Sequence, residues 1–100
     1  MMTNFVSSVR FKAKDGQLEN LMERIKEFPL PKGALDHTAV KTGDQTFCTF
    51  ITWKEEQDLV NARPEMIAFL DTVRNSLEEL SPELGVTDPI SGPVIHKSKA

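Results

Sequence analysis

The stretch Thr46-Phe-Cys-Thr-Phe-Ile-Thr-Trp53 decides the fold of this chain. It is rich in β-branched and aromatic residues, which suit a pleated and half-buried surface, so it predicts a β-strand over 46–53. Both alternating faces of this strand carry apolar groups: Phe47, Ile51 and Trp53 on one, Cys48 and Phe50 on the other. A sheet with one face in water alternates more sharply than this. We therefore expect both faces to be covered.

A second extended run, from Leu35 to Lys41, precedes this strand and is joined to it by residues 42–45. The connection Thr-Gly-Asp-Gln has hairpin-turn chemistry, because Gly43 can adopt a positive φ. Strands joined by so short a turn pair antiparallel. Farther out, residues 5–13 alternate with period two and predict the first strand, in which Phe5, Val9 and Phe11 share one face.

Two helices are predicted from apolar stripes. The first covers about residues 16–28, with Asp15 as its N-cap and Pro29 at its end. In the second, Pro64 suits the first helical position, and an apolar stripe runs from Met66 to Leu80. Residues 54–61 are predicted to form only a short helical turn. Residues 90–97 form the last strand, which Gly92 and Pro93 indicate to be bulged or at a sheet edge.

The order strand, helix, strand, strand, helix, strand predicts an α+β, ferredoxin-like βαββαβ fold. Its four-stranded antiparallel sheet carries both helices on one face, and we expect a single domain over residues 1–100 with its core at about 5–97. Because the helices cover only one face, we expect a second copy of the chain to cover the other. The resulting homodimer would be a dimeric α/β barrel with a ligand cavity between the two sheets.

Composition narrows the function further. The 100 residues carry 12 basic and 15 acidic side chains, which argues against nucleic acid as a partner because phosphate binding needs a basic face. No apolar run approaches the ~18 residues of a membrane span, and the N-terminus is not a signal peptide, so we expect a cytoplasmic protein. The single cysteine, Cys48, excludes an internal disulfide and a multi-cysteine metal site. No cofactor or metal motif is found, so we expect neither.

Two segments carry a family resemblance: Val9-Arg-Phe-Lys-Ala-Lys-Asp-Gly16 and Phe50-Ile-Thr-Trp-Lys54. With the βαββαβ order, they resemble the antibiotic biosynthesis monooxygenase-like group of dimeric α/β barrels over roughly residues 5–97. The resemblance implies either cofactor-independent, quinone-forming oxygenation of phenols or heme degradation. Asn4 and Trp53 match two positions of the heme-degrading members. However, no histidine lies between Trp53 and Pro89 to serve as a heme ligand, and the chain has no tyrosine for the quinone-forming set.

Four residues are candidates for a site. His37, on the second strand, can act as a catalytic base near pH 7, or it can be an ordinary surface residue. Arg10 can bind an anionic group between the sheets, or form an ion pair. Trp53 can stack on a flat ligand, or pack in the core. His96 is a candidate binding residue near the end of the chain, where a surface position is the simpler interpretation.

Two further positions have weaker functional interpretations. Arg63, beside Pro64, can orient an anion, or it can be solvated. Cys48 lies between apolar neighbours that do not lower its pKa, so it is more typical of an inert buried thiol.

These residues support two hypotheses. In the first, the chain is a cofactor-independent monooxygenase acting on a small aromatic compound in the dimer cavity, with Arg10, His37 and Trp53 around the substrate. In the second, it is a non-catalytic dimer that binds a small molecule or supports a partner. The hypotheses differ in whether those three residues converge on one cavity.

Overall fold

Four strands form one antiparallel sheet in the order β2-β3-β1-β4, with two helices between them along the chain. The computed structural model describes residues 3–100. Its elements are β1 (Phe5–Lys12), α1 (Leu18–Glu27), β2 (Ala34–Lys41), β3 (Thr46–Trp53), α2 (Glu56–Val73) and β4 (Asp88–Pro93). The predicted ferredoxin-like βαββαβ fold is confirmed. Strand β4 lies at an edge of the sheet, which was one of the two alternatives predicted for the last strand.

The register of the sheet separates two faces. Phe5, Ser7, Val9 and Phe11 of β1 lie opposite Trp53, Ile51, Thr49 and Phe47 of β3. This side packs against α1 and α2 and is called the helix face. The opposite side, the open face, is formed by alternate residues of all four strands: Val6, Ser8, Arg10, Thr38, Val40, Cys48, Phe50, Thr52, Asp88 and Ile90.

The core under the helices is divided into two clusters. One contains Phe5, Ile51, Trp53, Leu59 and Ala62 and is called the Trp53 cluster. The other contains Ala13, Leu21, Phe47, Val73 and Leu77 and is called the Phe47 cluster. Helix α2 runs from the first cluster to the second, so its apolar stripe spans the length of the layer.

Helix α1 begins slightly later than predicted and has no side-chain N-cap. Gly16 takes a φ of 77°, which turns the chain between Asp15 and the helix. The residue at the cap position is therefore Gln17, and it makes no side-chain capping hydrogen bond. Asp15 instead accepts a hydrogen bond from the side-chain amide of Gln45. The predicted N-cap was wrong because this turn displaces the carboxylate from the first helical turn.

Helix α2 differs most from its prediction, since it starts at Glu56 and contains Pro64 in its interior. A proline there removes the hydrogen bond to the carbonyl of Val60. Both residues are exposed, so water can satisfy that carbonyl. The helix also ends at Val73, because the chain makes a 3₁₀ turn at Arg74–Ser76 and then runs along the end of β1. Leu77, predicted as helical, forms an antiparallel bridge with Ala13 instead.

Two smaller predictions also need correction. Gly43 is not among the glycines with positive φ, which are Gly16, Gly33 and Gly85. The β2–β3 connection is closed instead by a backbone hydrogen bond of 2.9 Å from Thr42 to Thr46. Strand β4 begins and ends earlier than predicted, at Asp88 and Pro93.

Within residues 3–100, neither helix combines the length and apolar character needed to cross a lipid bilayer.

Candidate functional site

A pocket of about 200 Å³ lies between the helix face of the sheet and the two helices. Its floor includes Ser7, Val9 and Thr49, which are small residues in the middle of the two central strands. Larger side chains stand at either end of these strands, in the Trp53 cluster and the Phe47 cluster. The pocket therefore exists because short side chains at the centre of the sheet do not reach the helices above them.

The walls of this pocket are mostly apolar and aromatic. Phe11 and Phe47 stack on the floor with ring centroids 5.0 Å apart. Phe28, just after α1, lies 4.8 Å from Phe69 of α2 and 6.2 Å from His37 by the same measure. His37, Phe28 and Phe69 therefore form a continuous row of rings from β2 to α2. Because aromatic groups prefer stacked or edge-to-face partners, this lining suits a ring compound.

His37 is the one titratable group of the pocket that can take up a proton near neutral pH. It projects from the helix face of β2 opposite Ile51 and is half-buried, with its ring edge-on to Phe28. Burial lowers the pKa of His37 below its ordinary value of 6.5, and the neighbouring Asp36 carboxylate opposes this shift. The imidazole is therefore neutral at pH 7 and can accept a proton.

Arg63 is the charged residue that lines the pocket, and it lies on α2 in an exposed position. Its neighbour Ala62 is buried in the Trp53 cluster, so Arg63 stands at that end of the pocket. Exposed Ile67 and Pro89 also line the pocket, which places the opening between α2 and the β4 edge.

The structure does not bring the predicted site residues together. His37 lines the pocket, whereas Arg10 lies on the open face and forms an ion pair of 3.1 Å with Asp88. Trp53 is fully buried in its cluster, where its Nε1–H donates a 3.0 Å hydrogen bond to Ser7 Oγ. Its indole is not among the groups that line the pocket.

His96 follows β4 in the exposed C-terminal segment. Its Nε2 lies 2.8 Å from the hydroxyl of Ser98, and His96 is not among the residues that line the pocket. The pocket also lies on the other side of the sheet from the predicted cavity. That cavity was placed between two sheets, but the space present in the described chain is between its own sheet and helices.

Sequence reasoning missed the floor of the site. Val9 and Thr49 were assigned to strands, but the gap depends on their standing side by side, which only the register shows. The feature of the sequence that could have indicated this floor is the position of these small residues between bulky ones on the buried face of each central strand.

Within residues 3–100, no group of three or more His, Cys, Asp or Glu side chains is arranged to hold a metal ion.

The fold and pocket define the chain as a ferredoxin-like α+β protein with an apolar, aromatic-lined pocket beneath its helices. Solved structures confirm the predicted resemblance at the level of fold. A protein from Chloroflexus aurantiacus, inferred to be an antibiotic biosynthesis monooxygenase, matches with a TM-score of 0.75 and 10% identity, covering 97% of this chain and 98% of that chain. SnoaB, a cofactor-independent oxygenase from Streptomyces nogalater solved as a point mutant, matches with a TM-score of 0.70 and 12% identity, covering 95% and 96%.

A dimeric ferredoxin-like protein from an uncultured marine organism also matches, with a TM-score of 0.72 and 10% identity, covering 98% of this chain and 93% of that chain. No protein-family model matches the chain, and no curated protein matches its sequence. At these identities the likeness shows the fold alone.

Proposed function

We propose that the chain binds a small aromatic compound in the pocket beneath its helices and oxidises it with O₂ without a cofactor. The observation that carries this proposal is an aromatic-lined pocket with one neutral histidine on its wall. An engineered apolar cavity of about 150 Å³ holds benzene. The volume here, about 200 Å³, suits a substituted single ring or a compact pair of fused rings. The fold shared with SnoaB, a cofactor-independent oxygenase, supports the proposal.

The chemistry begins with a proton transfer. Neutral His37 accepts the proton of a phenolic hydroxyl, and the phenolate that forms is electron-rich enough to react with O₂ directly. In the overall reaction a phenol and O₂ give a quinone and water. One oxygen atom becomes the new ring carbonyl, the other leaves as water, and the phenol supplies all the electrons. The apolar walls keep bulk water from the ring while this occurs.

Oxygen consumption with a panel of phenols and naphthols tests this proposal. We expect uptake with the wild-type chain, and a loss of about 10²–10⁴-fold for His37→Gln, because a positioned general base contributes this factor. His96→Gln is the matched control, since this second histidine lies in the exposed C-terminal segment. No uptake with any phenol, or equal rates for His37→Gln and the control, would refute a catalytic role.

A non-catalytic binding function is the second candidate. It is favoured by the small number of polar groups on the pocket wall, chiefly His37, Arg63 and three hydroxyls. In that case the same phenols would bind, as measured by calorimetry, without consuming oxygen. Tight binding without uptake would therefore replace the oxygenase with a small-molecule carrier or sensor.

The proposal includes a homodimer formed through the open face. Phe50 at its centre is 39% exposed, and Val40 and Ile90 beside it are 42% and 70% exposed. Exposed apolar groups clustered on one sheet face mark an association surface, and one protein of the same fold is dimeric. We expect light scattering to give about twice the chain mass of 11.2 kDa.

A cytoplasmic location is also part of this proposal, in keeping with a single free cysteine.

A further inference from the structure

Arg63 differs from the other arginines in its charge environment. The other three each pair with a carboxylate: Arg10 with Asp88, Arg24 with Glu27 and Arg74 with Asp71. Within residues 3–100, Arg63 forms no such ion pair, although it stands on the wall of the pocket. An unpaired guanidinium at the edge of an apolar space is a strong binding group for an oxyanion, because its planar N–H groups match two oxygens at once.

Arg63 and His37, the two ionisable groups of the pocket lining, lie toward the same end of the pocket. On the sheet below, the row that contains Ser7, Ile51 and His37 crosses this end. The other end is closed by the stacked pair Phe11 and Phe47 and by residues of the Phe47 cluster. A ligand with one charged and one aromatic end therefore has a single favourable orientation.

We propose that the ligand of this pocket is an aromatic monocarboxylate, with its carboxylate on Arg63 and its ring against the phenylalanines. The inference rests on the proposed binding function of the pocket and names its substrate class. Arg63 supplies one positive charge that no carboxylate of the described residues compensates, and this matches a ligand with one negative charge. A doubly charged group such as a phosphate would lack a second cation. The pocket volume, about 200 Å³, leaves room for the ring but little for a larger head group.

The test compares naphthoate with naphthalenemethanol, a neutral compound of nearly the same shape, by titration calorimetry. We expect the wild-type chain to bind the carboxylate about tenfold or more tightly than the alcohol, as is typical of a hydrogen bond to a charged group. Arg63→Gln should remove this preference and leave alcohol binding unchanged. Arg74→Gln is the matched control, because Arg74 follows the same helix and is already paired with Asp71 at 2.9 Å. Equal affinities in the wild-type chain, or a preference that survives Arg63→Gln, would overturn the proposal.

A second variant separates this inference from the proposed function. Thr49→Phe fills the centre of the pocket, so both probes should lose affinity while the circular dichroism spectrum stays native; Thr49→Met serves if the larger ring prevents folding. If Thr49 variants block both probes but Arg63→Gln keeps the preference, only the carboxylate assignment fails. If folded Thr49 variants bind both probes as the wild type does, or if the wild-type chain binds neither, the pocket function fails as well.

Discussion

Ser7→Ala should destabilise the chain far more than the loss of one hydroxyl suggests. Trp53 has no exposed surface and Ser7 is 8% exposed, and the 3.0 Å hydrogen bond between them satisfies the indole N–H. Removal of the hydroxyl leaves that donor buried without a partner, which costs about 1–3 kcal/mol. For a domain of this size the melting temperature should then fall by about 4–24 °C.

The assay is urea unfolding followed by the fluorescence of Trp53, the single tryptophan. Ser8→Ala is the matched control, because the adjacent hydroxyl projects from the open face; it should change the free energy of unfolding by less than about 0.5 kcal/mol. In a Trp53→Phe background, followed by circular dichroism, Ser7→Ala should cost little because no donor remains. Equal losses for the two alanine variants, or a full Ser7→Ala cost in the phenylalanine background, would refute this reasoning.

Three further predictions concern the open face, the pocket histidine and a turn. Phe50→Glu should convert the proposed homodimer to a monomer in light scattering, because a charge would be buried at the centre of the proposed association surface; an unchanged mass would contradict that interface. The His37 ring should titrate by NMR with a midpoint below 6.5. The pKa of His37 is then higher in the unfolded chain than in the folded chain, so the unfolded chain binds this proton more tightly. The free energy of unfolding should therefore fall as the pH is lowered through 6.5. A midpoint above 6.5 would exclude the burial effect. Gly33→Ala should lower the free energy of unfolding by about 1–3 kcal/mol more than Gly16→Ala. Both glycines have positive φ, but only at Gly33 would the added methyl collide with the Asp58 side chain. Equal losses in urea unfolding would show that the collision is relieved.

The sequence pattern predicted the elements well where periodicity was strong. The alternation in β1 and the β-branched and aromatic run of residues 46–53 predicted the two central strands, which pair as neighbours in the sheet. The prediction was wrong at Pro64, which was assigned to the start of a helix but lies inside α2. The helix can contain this proline because the hydrogen bond that it removes is on an exposed turn. The prediction was also wrong at Leu77. This residue packs in the core, but it belongs to an extended segment and not to a helix.

The candidate site was predicted only in part. His37 and Arg63 were recognised by residue type, and both line the pocket. Arg10, His37 and Trp53 were predicted to share a cavity between two sheets. Arg10 does lie on the open face, but strand parity places His37 on the helix face, and the hydrogen bond to Ser7 holds Trp53 in the core. The position of the pocket depends on which small side chains lie opposite each other on neighbouring strands. A single sequence gives the size of each side chain but not this register.

The division of the core into two clusters has a mechanical consequence. Well-packed protein interiors resist compression, whereas space without atoms is lost when a chain is squeezed or unfolds. Under hydrostatic pressure the gap above Val9 and Thr49 should yield before the dense surroundings of Trp53 or Phe47. A guest molecule that fills this gap removes the weakness, so the compressibility of the chain reports whether its pocket is occupied.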